Sequence, residues 1–307
     1  MRRYLEGGAL QKILLLGKNG QVGWELHRAC STLGEIVAVG FPEVDLAQAD
    51  GLRDLIRTVK PTIIINAAAY TDVDKAESEP DLARKINALA PQVMAEEARK
   101  INAAFIHYST DYVFDGTKGC PYTEMDIPNP INVYGATKFD GEQRVQAVGG
   151  AYLIFRTSWV YSMRQGGFVS KVLQWARQQE TLRIVDDQIG NPTWARMLAE
   201  ATAQVIAQGR GDPLDYIKEK AGLYHLAGAE SCSRFEWAKL ILELDPHNCE
   251  HVVRRIQSVK SSEFPTPAIR PGNTELESNF LNDAYNILMP SWKTTLELAL
   301  NVRYLSR

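Results

Sequence analysis

The sequence predicts an α/β fold: a doubly wound parallel sheet with a smaller C-terminal lobe. Three observations carry this. Short apolar runs alternate with amphipathic helical stretches from residue 12 to about residue 185, as expected of parallel strands joined by right-handed crossovers. Three glycines, Gly17, Gly20 and Gly23, stand between the first apolar run and the first helical stretch. Beyond residue 186 the pattern loosens, and Pro192, Pro213, Pro246, Pro265, Pro267 and Pro271 punctuate shorter elements.

Taken in order, residues 1–11 read as a loose extension and Lys12–Leu16 as the first strand. Val22, Leu26, Ala29 and Leu33 recur at helical spacing, so 22–33 is expected to be a helix. Ile36–Val39 reads as the second strand, Gly51–Val59 as a helix, and Thr62–Ile65 as the third strand, ending in Asn66. A single long helix is expected over Leu82–Lys100, then a strand over Phe105–Tyr108. After a helix bearing Tyr134 and Lys138 come a strand over Ala151–Phe155, a helix over Phe168–Gln178 and a strand over Leu182–Val185. An amphipathic helix over Ser291–Tyr304 closes the chain. The expected division is a dinucleotide-binding domain over 12–185 and a mainly substrate-binding lobe over 186–307, with some segments returning to the core. At 307 residues the chain can bury such a core.

Composition narrows the function. A net charge of −3 and a pI near 6.0 supply no basic field, which argues against nucleic acid as a partner. Cys30, Cys120, Cys232 and Cys249 show no C-x-x-C spacing and suggest neither a disulfide framework nor a metal cage. Cys30 reads as a buried thiol. No apolar stretch is long enough to span a membrane, and the first residues lack a signal-peptide core, so a cytoplasmic location is expected.

The glycine loop, Gly17-Lys-Asn-Gly20-Gln-Val-Gly23, is entered from a strand and left by a helix. Its N–H groups and the helix N-terminus would face an anion, such as a dinucleotide pyrophosphate, making the sheet Rossmann-type. The second strand ends Val39-Gly40-Phe41 with neither a carboxylate nor an arginine, Glu43 and Asp45 lying further on, so NADPH and NADH are both compatible. Tyr134 and Lys138 stand four apart, on one helix face. A neighbouring ammonium is expected to lower the phenol pKa towards neutrality, making Tyr134 a better acid. Thr110, at a strand's end, can share the same carbonyl oxygen. Asp111 fits either a sugar hydroxyl or a loop cap. Asp72 and Asp74 read as a loop-to-helix entry, Asn87 as a buried hydrogen-bonding group, and His107 as a satisfied core histidine.

These motifs resemble a known family. Gly17 to Leu26, Asn66 to Pro80, Ser109 to Gly116, Phe155 to Tyr161, Asp187 to Thr193 and Pro265 to Asn273 are similar, in order, to the dTDP-4-dehydrorhamnose reductases, extended short-chain dehydrogenase/reductases. The resemblance implies reduction of a dTDP-4-keto-6-deoxysugar to dTDP-L-rhamnose by NADPH or NADH. It implies a cofactor site formed by Gly17, Gly20, Gln21, Val22, Asp45, Leu46, Ala69, Tyr70, Tyr108, Tyr134 and Lys138. Thr110, Tyr134 and Lys138 would be catalytic, and Thr110, Asp111 and Trp159 would meet the deoxysugar. Arg270, in the Arg-Pro-Gly-Asn loop, is a candidate for the nucleotide phosphates. Some family members join two subunits through magnesium held by glutamates, which implies a homodimer. Here Glu25 keeps one such position, but Arg196 stands where those members carry Glu, and a cation there opposes a divalent metal; no metal ligand is assigned.

Two rivals share the fold. An epimerase or dehydratase would want an acid pair after the strand-end Thr, and Thr110-Asp111-Tyr112 offers no following Glu. A binding protein that resembles these reductases, the regulatory subunit of methionine adenosyltransferase, would be favoured by a damaged Tyr/Lys pair, which is intact here.

Overall fold

The computed structural model describes residues 11–302 apart from residue 165; the rest of the expected N-terminal extension and the last two residues of the expected final helix lie outside them. The first strand, β1 (Lys12–Leu16), shows why the sheet is doubly covered. Ile13 and Leu15 point into one apolar cluster and Leu14 and Leu16 into another, all buried, because side chains alternate across a strand. Helix α1 (Gln21–Cys30) leaves the glycine loop at once. Strand β2 (Glu35–Val39), helix α2 (Ala49–Val59) and strand β3 (Ile63–Asn66) follow.

Helices α3 (Val73–Ser78) and α4 (Pro80–Arg84) run into a π turn over Lys85–Leu89 and then helix α5 (Ala90–Lys100). The long helix expected over 82–100 thus carries one wide turn, over the five residues before Ala90-Pro91. Proline supplies no N–H to the helix ladder, which accounts for the local change of register. Strand β4 (Ala104–Thr110), helix α6 (Val133–Val148) and strand β5 (Tyr152–Thr157) complete this part.

The main sheet has six strands, all parallel, in the order β10-β5-β4-β3-β1-β2. Its order reverses between β1 and β3, where ligands sit in open α/β sheets. The far edge, β10 (Gly222–His225), is reached only after β6 (Val160–Tyr161), α7 (Phe168–Ala176), β7 (Thr181–Val185), β8 (Ile189–Gly190), β9 (Thr193–Trp194), α8 (Ala195–Gln208) and α9 (Pro213–Glu219). The strand expected to finish the first domain, β7, instead pairs with β12 (Arg255–Val259) in a separate two-stranded parallel sheet. Its burial alternates with exposed Thr181 and Arg183, so only one face is covered and it cannot be a central strand. Meanwhile α8 packs on α1 and β10 joins the main sheet, so the lobe begins before residue 185 and is interrupted after it.

The lobe core gathers Tyr161, Trp194, Trp237, Trp292 and Leu296 beneath α7, α10 (Arg234–Leu244) and α12 (Trp292–Val302). Short β11 (Cys232–Ser233) leads into α10, and α11 (Asn279–Tyr285) packs on β10.

One buried ion pair fixes α6 against the sheet. Arg156 on β5 holds Glu142 on α6 through two bonds, Nε–Oε1 2.9 Å and Nη2–Oε2 2.6 Å, with both side chains almost wholly buried. Removing one partner of such a pair strands the other charge in the core. We expect Arg156→Met to cost about 3–5 kcal/mol, read by urea unfolding, and more than Arg156→Met/Glu142→Leu. Equal stability of the single and double variants would contradict this.

Candidate active site

Gly17 follows β1 with φ +92°, a left-handed conformation that favours glycine. A Cβ on Gly23 would stand 2.0 Å from the Gly17 carbonyl oxygen, so α1 can approach the loop only without a side chain there. Together they open the mouth of a cavity of about 480 Å³ at the carboxyl ends of β1, β3, β4 and β5. Gly17, Gly20, Gln21, Val22, Ala69, Tyr108, Thr110, Asp111, Tyr134, Lys138 and Trp159 all line it. Ala67, Ala68, Ser109, Thr157 and Val160, which the sequence reading did not name, line it too. Thr157 ends β5 beside Thr110 on β4, and this parallel register was the available signal.

A dinucleotide fits this cradle. Gln21 Oε1, Ser109 Oγ and Thr157 Oγ1 are buried among the described residues without a hydrogen-bond partner, which a ligand would repay. A second hollow of about 200 Å³ continues from Gly17, Ala68 and Ala69 past Gly40, Phe41, Val44, Asp45 and Leu46, a place for the adenosine end. Tyr70 does not reach either hollow: its hydroxyl bonds Glu79 Oε2 at 2.7 Å, and its backbone is gripped by Asn87. That is the buried hydrogen-bonding role expected of Asn87.

Helix α6 begins at Asn132, whose side chain accepts from the Gly135 N–H and caps it. This cap starts the turn that aims Tyr134 at the cavity. Tyr134 shares a hydrogen bond with the Thr110 hydroxyl and lies edge-on to Tyr112, ring centroids 5.9 Å apart. Burial pushes the phenol above its ordinary value, outweighing the bond from Thr110, while the nearby Asp111 and Tyr112 raise it further. This corrects the expected lowering by Lys138. The amine is turned away: Nζ donates to the Tyr108 carbonyl at 2.6 Å and stands 3.4 Å from His107 Nε2.

Burial lowers the Lys138 pKa to about 8, and Glu142 offsets part of the fall. The hydrogen-bond network assigns a further constraint. Asn66 Oδ1 is taken by the Ala68 N–H, so its Nδ2 donates to His107 Nδ1. Burial keeps His107 neutral, and its one proton is then on Nε2, facing Lys138. A charged Lys138 would meet donor with donor. His107 is the satisfied core histidine expected, with this added contact.

Asp111 accepts from Ser158 Oγ (3.0 Å), Thr274 Oγ1 (2.5 Å) and Thr110 Oγ1 (3.1 Å). Burial raises its pKa against those three bonds. The loop cap is Thr110, which accepts from the Tyr112 N–H. Trp159 adopts φ +42°, strained for a bulky residue and of the kind found at functional sites.

Arg270 is already held. Nη1 and Nη2 grip Asp74 at 2.6 and 2.7 Å, and Nη1 also reaches Thr266 and the Ala268 carbonyl. Asp72 caps α3, as a helix entry should. Cys30 is buried and its thiol pushed up to about 12 by desolvation.

The residues where related chains would hold magnesium do not fit it. Arg28 bonds Glu25 and Glu200, each at 2.9 Å, and Arg196 bonds Glu200 at 3.0 Å. Two guanidiniums already balance these two carboxylates, leaving no net negative charge to hold a divalent cation.

A glycine loop at the switch point of a parallel sheet, with Thr110, Tyr134 and Lys138 across the cavity, defines an extended short-chain reductase. Residues 11–304 match the model of the RmlD substrate binding domain family. A dTDP-4-dehydrorhamnose reductase of Burkholderia thailandensis is 40% identical over 94% of this chain and 97% of its own length. One from Escherichia coli K12 is 39% identical, again over 94% and 97%. Among solved structures, a Bacillus anthracis dTDP-4-dehydrorhamnose reductase in complex with NADP superposes with a TM-score of 0.85 at 32% identity, covering 96% of this chain and all of that one. The chain belongs to the dTDP-4-dehydrorhamnose reductase family. A UDP-glucose 4-epimerase of Thermus thermophilus, 17% identical with a TM-score of 0.77 over 97% of this chain and all of that one, shares the fold.

Two predictions follow from the charges. In the unfolded chain Lys138 titrates near its ordinary value, above its folded pKa of about 8. Between these values the unfolded state binds more protons, so stability rises with pH. The stability of wild type relative to Lys138→Met should therefore climb by about 3 kcal/mol between pH 8 and 10.5; a flat difference in urea unfolding contradicts it. Glu43 precedes Val44, which lines the second hollow; it accepts from the Gly40 N–H at 3.1 Å and pairs with Lys18 at 2.6 Å. A ribose diol would meet the carboxylate and a 2′-phosphate the ammonium if the adenosine ribose reaches this pair, so both nicotinamides should serve within about 1,000-fold of each other, roughly 4 kcal/mol. Glu43→Gln should move the kcat/KM ratio towards NADPH and Lys18→Met towards NADH.

Proposed function

We propose that this chain reduces the 4-keto group of dTDP-4-dehydro-β-L-rhamnose to give dTDP-β-L-rhamnose with NADPH or NADH, the last step of dTDP-L-rhamnose biosynthesis. The observation that carries this is the meeting of Thr110, Tyr134 and Lys138 at a dinucleotide-shaped cavity. The relatives' names supply the sugar nucleotide. A bound reduced nicotinamide supplies the hydride that adds to C4. The chain's own residues handle the oxygen and its proton. The Thr110 and Tyr134 hydroxyls, already bonded to each other, would both reach the keto oxygen. The raised pKa keeps Tyr134 protonated at neutral pH, the form needed to donate as charge develops on oxygen. Lys138, one helical turn on with its amine held by the Tyr108 carbonyl, would serve by fixing the helix face that presents Tyr134. Carbonyl, hydride and proton together give the alcohol.

Asp111 and Trp159 would contact the deoxysugar, and Arg270 the nucleotide phosphates if it exchanges Asp74 for them. Tyr70 would meet the cofactor only by leaving Glu79. The same reading includes a cytoplasmic enzyme working as a homodimer, with residues 12–185 mainly binding dinucleotide and later residues mainly binding substrate. Among the described residues no helix is long and apolar enough to cross a membrane.

The test is consumption of NAD(P)H that depends on the 4-keto sugar nucleotide. Tyr134→Phe should fold and bind cofactor yet lose kcat by about 10²–10⁴-fold. Turnover close to wild type would remove Tyr134 from the reaction.

A further inference from the structure

Arg234 opens α10, directly after its cap Ser233. A cation in the first turn of a helix opposes the helix dipole, and no capping bond of α10 uses this side chain. Its guanidinium lies 3.5 Å from the centroid of the Trp159 ring and within 5.4 Å of Trp237 and 5.0 Å of Phe168. It also bonds Tyr112, whose ring meets Tyr134. Among the described residues no carboxylate pairs with it. The contrast with Arg270 is direct: that arginine also acts on Tyr112 but already has Asp74. Asp111 acts on Arg234 only at a distance and is itself bonded by three hydroxyls. A cation set among aromatic rings without a counter-ion calls for an anion from outside.

We propose that Arg234 is a binding residue for the diphosphate of the sugar nucleotide. The inference rests on the substrate reading above, because the diphosphate is that substrate's anionic part. It places the diphosphate beside Trp159 and Tyr112, with the sugar then extending past Tyr112 towards Tyr134 and Thr110. The planar guanidinium can stack on the indole with one face and give its edge N–H groups to two phosphate oxygens.

The experiment is calorimetric titration of dTDP and UDP into the full chain, with NADPH affinity measured on each preparation. Arg234→Gln should weaken dTDP about 30-fold or more, flatten its salt dependence and leave NADPH binding as in wild type. Arg234→Lys should keep part of the affinity. In turnover the loss should fall on KM rather than kcat, as for binding shared by ground and transition states. If Arg234→Gln binds dTDP within about twofold of wild type while its KM for the sugar nucleotide rises, Arg234 merely braces Trp159 and the proposal fails. If Arg234→Gln does not fold, as loss of NADPH binding would reveal, Arg234→Lys decides. Retained dTDP affinity with its salt dependence supports the proposal, and complete loss in a folded Lys variant overturns it. A wild type that binds UDP but not dTDP would sink the dTDP reading instead, and loss of UDP in Arg234→Gln would still support the diphosphate contact.

Discussion

The bond from Lys138 Nζ to the Tyr108 carbonyl, 2.6 Å long and wholly buried, holds together the two elements that carry the acid chemistry. Strand β4 supplies Thr110 and helix α6 supplies Tyr134. A lysine that reaches across to a strand carbonyl ties α6 to β4 two residues before Thr110. The Arg156–Glu142 pair repeats the device one turn further along the same helix. Both clamps put charge where the sheet is dry, and both therefore depend on close geometry. The cost appears in Lys138 itself, whose pKa is pulled to about 8. An amine so placed changes protonation near working pH, which an exposed lysine does not do.

This arrangement separates what the sequence could reveal from what it could not. The glycine loop was legible because its mechanism is local: Gly17 needs a positive φ and Gly23 needs room for a carbonyl, each within one turn of chain. Tyr134 and Lys138 were legible for the same reason, since four residues apart on a helix means one face. Their electrostatic coupling was not. Spacing places the lysine near the tyrosine, but only the fold shows its amine turned to Tyr108 and the phenol governed by burial. The strand at 181–185 had the apolar content of a core strand, and only its pairing with Arg255–Val259 shows that it belongs to the lobe. Arg270 and Asp74 are 196 positions apart, so no local pattern announces their ion pair. Arg234 escaped notice because its neighbours Tyr112 and Trp159 come from other segments entirely.

The cavity floor follows a further rule, that buried charge is met by short polar contacts. Asp111 receives hydroxyls from a neighbouring strand residue, from Ser158 after β5 and from Thr274 in the lobe. That last bond spans 163 positions and ties the lobe to the end of β4. Asn191 does the same from the lobe side, its amide reaching the carbonyls of Gly228 and Glu230 and its oxygen taking the Leu276 N–H. A carboxylate so saturated has little capacity left for a sugar hydroxyl without giving one of these up. Its first effect is therefore to set the distance between the lobe and the sheet edge, and any contact with substrate is made from that fixed position.

Trp159 joins these themes. It carries a left-handed φ of +42°, which a bulky side chain adopts only when its surroundings compel it. Two features compel it here. Gly190 packs against the indole so closely that a Cβ would fall 2.6 Å from it, so the ring occupies space that any other residue would fill. Arg234 stands over the ring, 3.5 Å from its centroid, and Trp237 stacks at 5.7 Å. The ring is thus gripped by the lobe while still lining the cavity at the sheet edge. Backbone strain at this point is offset by lobe packing, so the position of the indole depends on the lobe being in place. The indole's place opposite Thr110 and Tyr134 therefore rests on contacts from the lobe, with Arg234 of α10 and Gly190 of β8 both against the ring.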